Sequence, residues 1–217
     1  MRIAKTRLLT TAGAVLGAVV LAAPLTPAQA AGSWHILGAT EVENARLSAD
    51  AVQGVDSSIN TVEYRKGGEG NIEVCGFQRT ERISASRQTR WASPSRTGST
   101  LILQFRNIVD GGTAFSRLRQ TYAACTPAQF AKPDKTTVSY RYLKKAKQIR
   151  LVWALYTTTG KTEVQRAEGL AIKRAGGALI ITRSIVKDVP DTTSLKTTVN
   201  QKLTGRQFSK YKAAAFS

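Results

Sequence analysis

Four segments in the second half of the chain do most to limit its fold. Val138 to Leu143, Ile149 to Thr157, Val164 to Lys173 and Ala178 to Val186 are rich in the β-branched and aromatic residues that fit a pleated surface. The spacers between them are short and carry Lys144-Lys145-Ala146-Lys147, Thr158-Thr159-Gly160-Lys161 and Ala175-Gly176-Gly177. A parallel connection needs a crossover of about a dozen residues or more, so these spacers fit only hairpins. The spacing therefore predicts a four-strand antiparallel meander. Val138, Tyr140 and Tyr142, and again Leu151, Trp153 and Leu155, recur at a period of two, which turns one face of that sheet into a core.

The first half is less regular. Ile59, Val62 and Tyr64 lead into Arg65-Lys66-Gly67-Gly68-Glu69-Gly70-Asn71 and then Ile72, Val74, Cys75 and Phe77, which predicts two strands joined by a glycine-rich turn. Glu81 to Thr100 is polar, carries Arg82, Arg87, Arg90, Trp91 and Arg96 around Ser93-Pro94-Ser95, and reads as an irregular basic segment or a weakly paired edge. Leu101-Ile102-Leu103-Gln104-Phe105 is a strand ended by Asp110-Gly111-Gly112. After it, Phe115, Leu118, Tyr122 and Cys125 recur at helical spacing, with Asp110 or Thr113 as the cap. That stripe faces the core and leaves Cys125 at the helix end, pointing inward. A short helix within residues 31–58, a final helix capped by Thr192 or Thr193 with Leu195, Val199 and Leu203 as its apolar side, and a loose basic tail from Gly205 complete the reading. The expected fold is α+β: an antiparallel sheet whose C-terminal half is the four-strand meander, with helices packed on one face. The expected organisation is a leader at 1–30, an N-terminal segment at 31–58, the α+β domain at 59–204 and the tail at 205–217.

The leader is read from its order. Arg2, Lys5 and Arg7 precede an apolar run from Leu8 to Leu25, and Ala28-Gln29-Ala30 follows. Positive, apolar and small-x-small in that order is a secretion signal, cleaved after Ala30. A membrane anchor needs about 20 apolar residues, whereas this run is broken by Pro24 and followed by Pro27. No twin-arginine pair precedes it, and the cleavage site has no cysteine to take a lipid. Cleavage removes three of the positive charges, so the net charge of +18 falls to +15 on 187 remaining residues. One domain is expected from that length, with no further transmembrane span, released outside the cell or retained at its surface by charge.

A positive surplus of this size attracts polyanions, such as an anionic cell-wall polymer, nucleic acid or anionic lipid, and it also keeps a secreted chain soluble. Charge alone does not choose among these, and no motif marks nucleic acid. The two cysteines, Cys75 and Cys125, are expected to form one disulfide in an oxidising compartment, a structural role worth roughly 4 kcal/mol for a fifty-residue loop. Two cysteines and the single His35 do not make a metal site or a histidine-based catalytic site, so no metal, cofactor or catalytic residue is assigned. Glu63, Glu69, Glu73, Glu81, Glu163 and Glu168 are available as acids, but no motif pairs two of them, and neighbouring Arg and Lys are their simpler partners. Gly67-Gly68-Glu69-Gly70 lacks the Lys-Ser/Thr and the helix of a phosphate loop. The candidate binding residues are Arg87, Arg90, Trp91 and Arg96, because guanidinium forks suit phosphate or carboxylate and an exposed Trp stacks on a sugar or base. The opposing reading is a solvated face with Trp91 covering the sheet.

The strand Leu101-Ile102-Leu103-Gln104-Phe105, followed by a helix with Ala114-Phe115 and ending in Tyr122-Ala123-Ala124-Cys125-Thr126, resembles the extracellular sensor domains of actinobacterial PknH-type receptor kinases and their free-standing secreted relatives. The resemblance spans about residues 59 to 204. It implies an α+β fold with a cleft that receives a ligand. It also implies a second disulfide, from which this chain departs, and it carries over no ligand residue. The expectation is a secreted, non-enzymatic, sensor-like domain binding a small ligand or an anionic envelope component. The alternatives are a secreted hydrolase using a carboxylate pair on an anionic polymer, and a structural envelope protein held by charge.

Overall fold

Alternation along one strand sets the architecture. In the computed structural model, which describes residues 33–130, 135–145, 148–159, 162–187 and 198–216, successive residues from Leu101 to Phe105 point to opposite sides of a sheet, and both sides are buried. The elements are helices α1 (Ala39–Asn44) and α2 (Ala49–Gln53), strands β1 (Thr61–Lys66), β2 (Ile83–Ser93) and β3 (Arg96–Phe105), and helix α3 (Ile108–Ala123). Strands β4 (Lys135–Lys145), β5 (Gln148–Thr159), β6 (Thr162–Ala175) and β7 (Ala178–Lys187) and helix α4 (Thr198–Ala215) follow. The strands form one seven-stranded sheet in the order β1-β2-β3-β7-β6-β5-β4. Every neighbouring pair is antiparallel.

The α+β class and the four-strand meander are therefore as expected. The meander β4 to β7 joins a second one, β1 to β3, through the central β3–β7 ladder, with Leu101 opposite Ile181 and Leu103 opposite Leu179. The helices divide between the two faces instead of forming one layer. On one side Leu101, Leu103, Phe105, Leu179, Ile181, Leu170 and Ile172 pack beneath Ala114, Phe115, Leu118 and Tyr122 of α3. On the other, Ile102, Ala178 and Ile180 meet Leu37, Val42 and the α4 residues Tyr211 and Ala215. Trp91, Leu47, Val52, Ile59 and Leu203 make a further cluster on that second side.

Several expectations are corrected. No strand spans 72–77. A 3-10 turn (Glu69–Ile72) leads instead into Cys75 and Gly76, both at positive φ, and two consecutive left-handed residues cannot extend a strand. The partner of β1 is β2, so the polar segment from Glu81 is a hairpin turning at Pro94-Ser95, with β2 an interior strand. Its polar residues Ser86, Gln88 and Thr89 are buried. The first segment holds two short helices, and α3 starts earlier than expected, capped by the Asn107 side chain, which accepts the Asp110 N–H at 2.7 Å.

The chain after Gly205 is not a loose tail; α4 continues to Ala215. The apolar stripe lapses there because polar side chains hold this helix. Asn200 donates to the Gly169 carbonyl at 3.0 Å, Thr204 donates to the Thr182 hydroxyl at 2.9 Å, and Gln207 donates to Ala45 and accepts from Leu47 N–H. The Tyr211 hydroxyl donates to Gln104, and burial, reinforced by the charge of Glu41, pushes its ionisation above the ordinary tyrosine range. His35 has an exposed side chain, and its N–H bonds the Ala215 carbonyl at 2.9 Å beside a Trp34–Phe216 bridge. The leader at 1–30, the caps Thr192 and Thr193, Leu195, and the spacer residues 146–147 and 160–161 lie outside the described residues.

Cys75 and Cys125 are bonded, with Cα atoms 5.7 Å apart. The bridge ties the chain just beyond α3 to the 72–77 loop, whose Ile72 carbonyl accepts from the buried Tyr122 hydroxyl at 2.6 Å. Near it, Glu81 meets Arg117 of α3 at 2.9 Å. Burial opposes ionisation of Glu81, but backbone N–H donors and the Arg117 guanidinium outweigh it and hold the carboxyl below the ordinary glutamate range. A depressed carboxyl contributes stability that is complete above the unfolded-state value and fades as pH falls through the folded one. Glu81→Gln is therefore expected to be less stable than wild type at neutral pH, with the gap closing below about pH 4 in denaturant titrations.

Candidate binding groove

The apolar surface under α3 stops at the same level on neighbouring strands. On that face β3 runs Phe105, Leu103, Leu101 and then Ser99 and Thr97, and β7 runs Leu179, Ile181 and then Arg183. On β2 the residues of this face are Gln88 and Arg90, and on β6 Ile172 and Leu170 give way to Glu168 and Arg166. The ladders align the polar ends, so that Glu63, Arg90, Ser99 and Arg183 occupy one row across β1, β2, β3 and β7. Past the reach of α3 this row floors a groove of about 330 Å³ lined by Gln88, Arg90, Thr97, Gly98, Ser99, Arg183, Ser184 and Ile185.

Its charges are organised. The buried Glu168 carboxylate receives Arg166 at 3.0 Å and Arg183 at 2.7 Å. A carboxylate this enclosed is tolerable only when paired, and the pairing in turn fixes both guanidinium groups. Arg90 is exposed and donates through Nε to Gln88 Oε1 at 3.1 Å, while Glu63, its cross-strand neighbour, is paired with Arg65 at 2.9 Å. At this end of the face Arg65, Arg90, Arg166 and Arg183 stand against Glu63 and Glu168, which leaves it cationic.

Of the residues singled out by sequence, only Arg90 is in this groove. Arg87, Trp91 and Arg96 belong to the opposite face by alternation. Arg87 binds Glu43 and donates to the Ala39 carbonyl at 3.3 Å, so it fastens α1 to the sheet. Trp91 is 2 % exposed and lies over Gly98, where an added Cβ would come within 2.3 Å of the indole, so no stacking ring faces solvent there. Arg96 is half-buried at the β2–β3 turn, where burial lowers its affinity for a proton and the nearby Asp56 carboxylate opposes that effect. Sequence reasoning missed Gln88, Ser99 and Arg183. The available signal was the break in period-two alternation, where Leu103-x-Leu101 gives way to Ser99 and Leu179-x-Ile181 to Arg183.

Among the described residues no group of three or more His, Cys, Asp or Glu side chains is arranged to hold a metal ion. Lys144, Lys145 and Lys147 of the first meander spacer contribute no described side chain.

The chain is similar to the extracellular domain of PknH from Mycobacterium tuberculosis, with a TM-score of 0.57 over 83 % of this chain and all of that one, at 8 % sequence identity. That likeness is one of fold. The hypothetical protein jhp0584 from Helicobacter pylori aligns over 96 % of the chain and 98 % of its own at 10 % identity, but its TM-score of 0.20 carries no structural argument. No family model and no curated protein matches the chain.

Proposed function

We propose that the chain is a secreted, non-enzymatic, sensor-like domain that receives a small anionic ligand, or the anionic end of an envelope polymer, in the groove at Arg90 and Arg183. The observation that carries this reading is the cationic polar row beyond α3 that floors the groove. Guanidinium groups fixed by neighbours lose little freedom when they grip a phosphate or carboxylate, and Ser99, Thr97 and Gln88 supply neutral partners beside them. The leader order, the disulfide and the likeness in fold to an extracellular domain support a place outside the cytoplasm. No helix among the described residues is long and apolar enough to cross a membrane.

The hydrolase alternative finds less support. The two glutamates that strands bring to this face, Glu63 on β1 and Glu168 on β6, are four strand spacings apart, roughly 19 Å. Paired acids in glycoside hydrolysis stand about 5–9.5 Å apart, and Glu168 is occupied by two arginines.

Glycerol 3-phosphate, titrated calorimetrically at low salt, is expected to bind, and to bind more weakly as salt rises. Arg90→Ala is expected to cut its affinity about tenfold or more, since hydrogen bonds to charged groups contribute about 1.5–3 kcal/mol. Because Arg90 is exposed, thermal stability should hold. Unchanged affinity in Arg90→Ala would remove the groove from the proposal, and turnover of the probe by the pure protein would restore the hydrolase.

A further inference from the structure

The outer side of α4 carries a feature that the groove reading does not use. Lys202, Arg206, Lys210 and Lys212 lie on this helix, and residues 198–215 contain no Asp or Glu. Over its middle turn is a notch of about 600 Å³ lined by Gly54, Val55, Lys173, Lys202, Gly205, Arg206 and Ser209, with three cations and no carboxylate in the lining. Two of the cations are held in place. Lys173 Nζ sits 3.6 Å from the centre of the Phe208 ring, and Arg206 Nη1 donates to the Ala51 carbonyl at 2.9 Å, a bond that uses one of five guanidinium donors.

Gly205 forms the floor. Glycine inside a helix is among the least favourable residues, and it is retained elsewhere in this chain where a neighbour demands it, as at Gly98 beneath Trp91. At Gly205 nothing lies within 4 Å of where a Cβ would stand. Packing does not call for a glycine there; what its absent side chain provides is depth between Lys202, Arg206 and Lys173. Close approach of a ligand to the backbone is one of the uses of glycine. One arginine and two lysines lining a notch without a carboxylate fit the multiple oxygens and charge of a phosphate group.

We infer that the notch over Gly205 is a second anion site, which takes a phosphate group, either free or carried in a polymer. It lies on the α4 side of the sheet, opposite the groove that α3 adjoins, so it stands or falls separately from the groove.

The test is a ¹H–¹⁵N NMR titration of the folded protein with inorganic phosphate and, separately, with inorganic polyphosphate. Saturable shifts are expected at the amides of Gly54, Gly205 and Arg206. Lys202→Ala combined with Arg206→Ala is expected to weaken the interaction at least tenfold, while Arg90→Ala leaves it unchanged. Gly205→Leu, which fills the notch, should weaken it too, and Gly205→Ala should keep it while raising the unfolding temperature by about 2–4 °C. Equal affinity for the two probes assigns the site to a single phosphate, and tighter binding of the chain assigns it to a polymer. Shifts that avoid these three amides with both probes, or that survive the double variant and Gly205→Leu undiminished, overturn the site.

Discussion

Trp91→Ala is expected to lower stability by about 3–5 kcal/mol, read from the denaturant midpoint at constant slope. The ring is 2 % exposed and joins Leu47, Val52, Ile59 and Leu203, so its removal opens a cavity where α2, α4 and β2 meet. The cavity cannot collapse easily, because the strand opposite is fixed between two ladders. Trp91 also explains Gly98. A methyl there would stand 2.3 Å from the indole and 2.7 Å from the Arg183 carbonyl oxygen, so Gly98→Ala is destabilising in the native background. In the Trp91→Ala background one of those two clashes is gone, and the combined loss should be smaller than the sum of the single ones. Full additivity would contradict the packing described for this pair.

Cys75→Ser with Cys125→Ser is expected to cost roughly 4 kcal/mol in the loop-entropy model. This is a large share of the 5–15 kcal/mol that usually holds a domain together. The loss should be uneven. The bridge anchors the 72–77 loop, which has no strand pairing of its own, to the end of α3, so amide exchange should quicken first around Ile72 to Phe77 and the last turn of α3. Exchange that speeds up equally throughout the sheet would mean that the bridge stabilises the molecule only globally.

How much of this could be read beforehand follows from where each element gets its stability. Leu170 and Ile172 of β6, Leu179 and Ile181 of β7, the segment Leu101 to Phe105 and the α3 stripe Phe115, Leu118 and Tyr122 bury apolar side chains at their own period, and the sequence displays that period. The cysteine pair was legible from its number and from the order of the leader. The hairpin of β2 and β3 was not, because interior positions hold Ser86, Gln88, Thr89, Ser99 and Thr100, whose polarity mimics a surface segment. The last turns of α4 were hidden for the same reason, since Thr204 and Gln207 are core residues held by hydrogen bonds. The groove was legible only in Arg90. Arg183 joins it because β7 inserts beside β3, a pairing between distant parts of the chain that no local pattern announces. Trp91, next to Arg90, four residues after Arg87 and five before Arg96, looked like part of a basic surface, yet alternation and the gap at Gly98 turn it inward.

The central claim is that the polar row beyond α3 is where an anionic ligand binds. A ¹H–¹⁵N NMR map of the protein with glycerol 3-phosphate addresses it residue by residue. The account predicts saturable shifts concentrated at Gln88, Arg90, Ser99 and Ser184, reduced in Arg90→Ala. A map at saturating probe in which these amides stay still would contradict it.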